Sequence, residues 1–302
     1  MKMNKNILAY ENKIGSRCGL HCTGCSFKES HGCGGCIETM GHPFHGECKI
    51  AVCCQAKGLL HCGECDIIPC SKLYAYSYLD PEHGDKPQGA RVELCRRWAA
   101  EDNKQVWTKV LLTCAGFEDV NGKPMPNIIK CFYDMLEKPA GDAKVLFIPV
   151  AAVNYIAKKM AQLCKSELLH LGILPENITA YYLDKDLSEA EAMSYDVIYF
   201  TGGDTGYLLR RIKESGFDLL IKKMVFRNKV YVGVSAGSLI ATPNIGDPYN
   251  EATAGLCLVN TYLSVHCTGD EEQGTELPLP HIALADHQAL AVTCKGYRVI
   301  EG

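Results

Sequence analysis

The 302-residue chain has no apolar run long enough to span a bilayer, and its opening stretch, MKMNKNILAYENKIG, contains no apolar core of signal-peptide length. Both absences argue against a membrane-spanning or exported protein and predict a cytoplasmic one. Positive charge is not in excess either. Lys and Arg number 31 against 35 Asp and Glu, and the net charge is -4, so there is no general electrostatic reason to bind nucleic acid or an anionic membrane. A small polar substrate is the simpler partner. No internal repeat or low-complexity segment is visible, and with 47% hydrophobic and 22% charged residues the chain is an ordinary globular sequence, long enough for two domains with separate cores.

Cysteine is what the chain has in abundance. Of eighteen, eleven precede Ser71, and between Cys18 and Cys70 the sequence is rich in Cys, Gly and His with few long apolar runs. Such a segment could hardly bury a core without cross-links, and in a reducing compartment clustered cysteines read as metal ligands sooner than as disulfides. Cys22 with Cys25, Cys33 with Cys36, and Cys62 with Cys65 form CxxC units. Each can bring two thiolates to one tetrahedral zinc. Together with Cys18, Cys48, Cys53 and Cys70 they predict a structural zinc-binding domain over residues 1–105, with about two zinc ions. Thiolate number alone leaves an iron–sulfur cluster open. No basic helix or stripe supports a nucleic-acid finger. The later cysteines, such as Cys131 and Cys164 in helical patterns, read as small buried hydrophobes.

Residues 71–80 and 89–102 have helical character and are separated by the turn-rich PEHGDKPQG. From about residue 106 to 302 the pattern changes to short apolar runs alternating with helical stretches, the signature of βα units around a parallel sheet. Strands are expected at 109–114, 144–150, 178–183, 196–201, 229–234 and 262–265, with 282–292 and 297–300 as a terminal pair. Helices are expected at 125–136, 154–171, 205–214 and 217–226.

The run KVYVGVSAGSLI places Gly233-Val234-Ser235-Ala236-Gly237 between a β-branched strand and a helical segment. A GxSxG turn of this kind holds a serine hydroxyl above the sheet at the start of a helix, where it can attack a carbonyl. The second notable loop is Thr201-Gly202-Gly203-Asp204-Thr205, after the buried strand DVIYF. Its paired glycines could let backbone N–H groups approach a substrate oxyanion, or could simply make a tight turn with Thr205 as helix N-cap. A serine needs a general base, and His266, at the end of TYLSVH, is placed for it ahead of His281 and His287. Between Ser235 and His266 the acids available to orient that base are Asp247 and Glu251.

Taken together, VLLTCAGF, KVLFIPVAAV, YFTGGDTGYLL, GVSAGSLIATPNIG, GLCLVNTYLSVH and ALADHQALAV resemble the dipeptidase E family of serine peptidases over about residues 107–302. The resemblance implies a class I glutamine amidotransferase-like (flavodoxin-like) α/β fold. It also implies Ser235 as nucleophile, His266 as base, and the N–H groups of Gly203 and Ala236 as oxyanion donors. The family's acid falls near Asn250, which favours Glu251 with a one-residue shift, then Asp247, with Asn250 as a third orienting group. Family members cleave short peptides with an N-terminal aspartate, so the expected partner is a small peptide. Other amides, or binding without catalysis, are the alternatives on the same fold. CGLHCTGC, CGGC and HCGECDIIPC resemble a family of short bacterial and archaeal Cys-rich domains of no assigned function, over about residues 15–100.

Overall fold

Short β-branched and aromatic runs with no polar interruption, such as VLFI at 145–148, VIYF at 197–200 and VYVGV at 230–234, can bury both faces only inside a sheet covered by helices on each side. They do so in the computed structural model, which describes residues 15–22, 25–101, 108–268, 278–293 and 296–302. The chain forms two compact units, Met1–Val106 and Trp107–Gly302. The boundary expected near residue 105 lies outside the described residues.

Among its described residues the second unit has nine strands: β1 (Lys109–Thr113), β2 (Val145–Ile148), β3 (Ile178–Ala180), β4 (Val197–Phe200), β5 (Val230–Val234), β6 (Tyr262–Ser264), β7 (His281–Ala283), β8 (Gln288–Thr293) and β9 (Gly296–Glu301). Seven form one sheet in the order β3-β2-β4-β5-β1-β8-β9. The first five are parallel, and β8 and β9 extend the sheet as an antiparallel hairpin. This is the expected α/β architecture, a mostly parallel sheet with flanking helices. One face of the sheet packs Leu112, Ile148, Ile198, Phe200 and Tyr231 against helices Thr205–Glu214 and Phe217–Phe226. The other packs Leu111, Phe147, Tyr199 and Val232 against helices Pro126–Leu136 and Tyr155–His170.

Two expected elements differ from what forms. The helix after the GxSxG turn is only Ala236–Leu239. The run 282–292, expected as one strand, is two: β7 ends at Ala283 and pairs in parallel with β6 in a separate two-stranded sheet, and β8 begins at Gln288 in the main sheet. Strands in two different sheets need a bend between them, and Leu284–His287 supplies it.

In the first unit, short helices Ser26–Ser30, Gly35–Glu38 and Lys49–Ala56 precede a 3-10 turn at Cys62–Glu64, a helical stretch Ser71–Leu79 and the helix Ala90–Glu101. Its core is small: Ile50, Leu73, Tyr78, Val92 and Trp98 are buried with Cys54, Cys62 and Cys95. His61 is fully buried, with its Nδ1 accepting from Gly63 N–H at 3.1 Å and its ring edge-on to Trp98. It is a packing histidine. No helix among the described residues is long and apolar enough to cross a membrane.

Candidate active site

In an open parallel sheet, loops converge beyond the carboxyl ends of the strands, and three adjacent strands, β4, β5 and β1, end here. Ser235 directly follows β5. Its backbone is at φ 48° and ψ -105°, a conformation L-residues rarely adopt and one that requires support from its surroundings. The support is visible. Ser235 N–H donates to Thr113 O at 2.9 Å, and the buried Ser238 hydroxyl lies 2.8 Å from both Thr113 O and Gly233 O. Tyr231 OH donates to Gly237 O at 2.6 Å. The flanking glycines are sterically required: a Cβ on Gly233 would lie 2.5 Å from Gly237 O, and one on Gly237 would lie 2.6 Å from Phe200 Cβ.

Ser235 Oγ is 3.0 Å from His266 Nε2, and His266 Nδ1 is 2.5 Å from Asp286 Oδ1. The three side chains form one continuous hydrogen-bonded line. Two strand pairings build it. β6 and β7 run parallel with Ser264 opposite Ala283, and the ladder continues through Leu284 N–H to Ser264 O and Cys267 N–H to Leu284 O. A parallel register carries the residues after both strands forward together, so His266 and Asp286 arrive side by side. The His266 imidazole and the Asp286 carboxylate are about half exposed, so the site opens to solvent. Beneath it, the Cys114 thiol accepts from His266 N–H at 3.5 Å, and burial pushes that thiol up to about 11. It is protonated at neutral pH and serves as packing.

The acid differs from the one expected. Glu251 opens the 3-10 turn Glu251–Thr253, where its carbonyl accepts from Lys213 Nζ at 3.4 Å. Asn250 caps that turn through Ala252 N–H, and Asp247 Oδ1 accepts from Tyr249 N–H. Asn244 binds across the same loop to Asn250 O and Gly246 N–H. All three candidates belong to a loop tied to itself and to Lys213 of helix Thr205–Glu214, and none of their described hydrogen bonds reaches His266. Asp286 occupies that position instead. The competing histidines are engaged elsewhere, His281 with Ser264 Oγ at 2.8 Å and His287 with Glu301 at 3.2 Å.

The GGDT loop follows β4. Asp204, one residue before the expected Thr205, caps the helix Thr205–Glu214 through Tyr207 N–H. Gly203 is at φ 139°, and a Cβ there would lie 2.0 Å from Ala151 O, so only glycine fits. A Cβ on Gly202 would stand 3.8 Å from Ser235 Oγ, which places this loop against the serine. Among the described hydrogen bonds, the N–H groups of Gly203 and Ala236 have no acceptor.

The predicted metal ligands fall into two groups within the first unit. Cys18, Cys22, Cys25, Cys33, Cys36 and Cys48 feel one another electrostatically, Cys18 also acts on Cys62 of the other group, and burial pushes Cys36 up to about 12. Cys53, Cys62, Cys65 and Cys70 line a separate cavity together with Cys54. Among the described residues, no three His, Cys, Asp or Glu side chains converge to hold one metal ion.

An α/β sheet carrying a serine, a histidine and an acid in hydrogen-bonded line at its strand ends has the parts that acyl transfer requires. The particular family follows from comparison: the model of peptidase family S51 matches residues 111–298, more than half of the chain, and the chain belongs to that family. Residues 14–75 match a family described as a protein of unknown function, DUF3795. An uncharacterised peptidase of Listeria monocytogenes is 35% identical over 101 residues, which is 33% of this chain and 49% of the relative. One from Pasteurella multocida is 28% identical over 175 residues, 49% of this chain and 80% of that protein. The chain thus spans about half the length of the Listeria relatives it matches. The crystal structure of a protein provisionally named peptidase E from Listeria monocytogenes superposes with a TM-score of 0.51 at 24% identity, covering 65% of this chain and 99% of that one. It shares the fold.

Proposed function

We propose that this protein is a serine peptidase of short peptides, with Ser235 as nucleophile, His266 as general base and Asp286 as the group that orients and supports His266. The observation that carries the reading is the line Ser235 Oγ to His266 Nε2 to Asp286 Oδ1, at 3.0 and 2.5 Å. His266 Nε2 takes the Ser235 proton as Oγ attacks the scissile carbonyl. The N–H groups of Gly203 and Ala236 receive the oxyanion. Collapse of the tetrahedral intermediate expels the amine, which takes the proton from His266. Water, deprotonated by His266, then releases the acid and restores Ser235. Asp286 holds the imidazole in the tautomer that leaves Nε2 free to accept.

Peptides with an N-terminal aspartate are the first substrates proposed, on the family resemblance. The test is hydrolysis of an Asp-Xaa dipeptide panel by wild type and Ser235→Ala, with fluorophosphonate labelling of both. Serine-dependent cleavage is expected, with the melting temperature nearly unchanged because Ser235 is only half-buried. Labelling without cleavage would point to another amide, and neither would point to a non-catalytic binding protein. For the first unit we propose thiolate metal binding. Zinc at the group from Cys18 to Cys48 rests on CxxC spacing alone, and elemental analysis of the purified chain tests it.

A further inference from the structure

The first unit contains a cavity of about 220 Å³ lined by Cys53, Cys54, Cys62, Cys65 and Cys70. Three separate pieces of chain deliver them. Helix Lys49–Ala56 carries Cys53 and Cys54, the 3-10 turn carries Cys62 with Cys65 just beyond it, and Cys70 precedes the helix at Ser71. Ile50, Leu59 and Ile68 make much of the remaining wall apolar. Lys57 and Lys72 also line it, and Lys57 Nζ donates to Cys65 Sγ at 3.4 Å.

Softness limits the occupant of a thiolate-walled site to zinc, cuprous copper or an iron–sulfur cluster. Geometry separates these. A single ion needs its sulfurs drawn to about 2.3 Å from one point, and no such convergence exists among the described residues. Thiols arranged around a cavity several atoms wide match a group that itself has several atoms. A polynuclear cluster bound by four thiolates is also anionic, which suits the two lysines, and an apolar wall limits solvent access to it. We infer that this cavity is the seat of an iron–sulfur cluster held by Cys53, Cys62, Cys65 and Cys70. Cys54 is the fifth thiol. It is the more deeply buried neighbour of Cys53, its thiol lies within hydrogen-bond reach of the Cys62 thiol and also donates to Leu59 O at 3.4 Å, so it acts through Cys62 as a positioning residue. The inference is independent of the Ser235 chemistry.

The test is anaerobic purification of the full chain and reconstitution with ferric iron, a thiol reductant that supplies the ferrous share, and sulfide, followed by iron and acid-labile sulfide assays and the visible spectrum. Iron and sulfide in equal amounts, about two or four of each per chain, are expected with a charge-transfer band. Cys65→Ser and Cys70→Ser should lose most of both, while Cys131→Ser, in the second unit, should retain them. Should those variants fail to fold, thiol alkylation of the wild-type chain read by mass spectrometry decides the matter. Cys53, Cys62, Cys65 and Cys70 should become protected together on reconstitution. A chain that takes up zinc but neither iron nor sulfide, or one whose four thiols stay equally reactive, would overturn the inference.

Discussion

Backbone strain of the kind Ser235 carries typically costs about 1–3 kcal/mol. Hydrogen bonds through Thr113, Gly233, Ser238 and Tyr231 offset it, and they fix Oγ where His266 Nε2 can reach it. Asp286 then decides which imidazole nitrogen is free. Asp286→Asn would keep the shape but favour the wrong tautomer, and kcat should fall by about 10³–10⁴-fold with little change in KM. Glu251→Gln, in an exposed loop with no described bond to His266, should remain within about threefold of wild type, as for a typical surface substitution. Steady-state kinetics on the cleaved dipeptide checks both, and the reverse ranking would return the acid to Glu251. That Ser235 and His266 would meet was legible because a GxSxG turn and a strand-end histidine have local signatures. That Asp286 joins them was not, because the apolar residues on both sides, Ile282 to Leu284 and Ala289 to Val292, made 282–292 read as one strand. The polar DHQ within it was the available signal.

At the scale of elements, helices Thr205–Glu214 and Phe217–Phe226 form at the expected residues, because amphipathic periodicity and flanking polar or glycine residues are local properties. Partner choice between strands is not local. That β7 leaves the main sheet for β6 depends on long-range pairing, which no window of residues reports. A second long-range contact joins helix Tyr155–His170 to the loop after β1, where Glu167, only 6% exposed, accepts from Phe117 N–H at 2.8 Å. Burial pushes its carboxyl up to about 7 from the ordinary value of 4.5. The folded state therefore binds the proton more tightly than the unfolded one, and stability contributed here is lost as pH rises through that interval. Glu167→Gln removes the charge and keeps an acceptor for Phe117. Relative to wild type it should gain up to about 3 kcal/mol on going from about pH 5 to about pH 8 in urea unfolding. A difference independent of pH would show that Glu167 is not protonated more readily in the folded protein.

At the scale of the whole molecule, two designs share one chain. Both apolar clusters on the faces of the main sheet are drawn from residues after Lys109, so the second unit owns its core. The first unit has a modest apolar core and eleven thiols before Ser71, the balance expected where metal chemistry supplements burial. Composition made this division legible, since cysteine density and βα alternation change over a short stretch. How the thiols are shared was not legible, because CxxC spacing states which pairs are near but not whether they meet at a point or around a cavity. Every residue proposed for acyl transfer, Gly203, Ser235, Ala236, His266 and Asp286, lies in the second unit. Residues 107–302 expressed alone should therefore fold cooperatively and label with fluorophosphonate at a rate within about threefold of the full chain, since no part of the nucleophile, base or oxyanion site is removed. Chelation of the full chain should likewise leave the labelling rate unchanged while altering the unfolding of the first unit. Loss of labelling in the isolated second unit, with its cooperative unfolding intact, would mean that the cysteine unit completes the substrate site and would turn the fusion into a functional requirement.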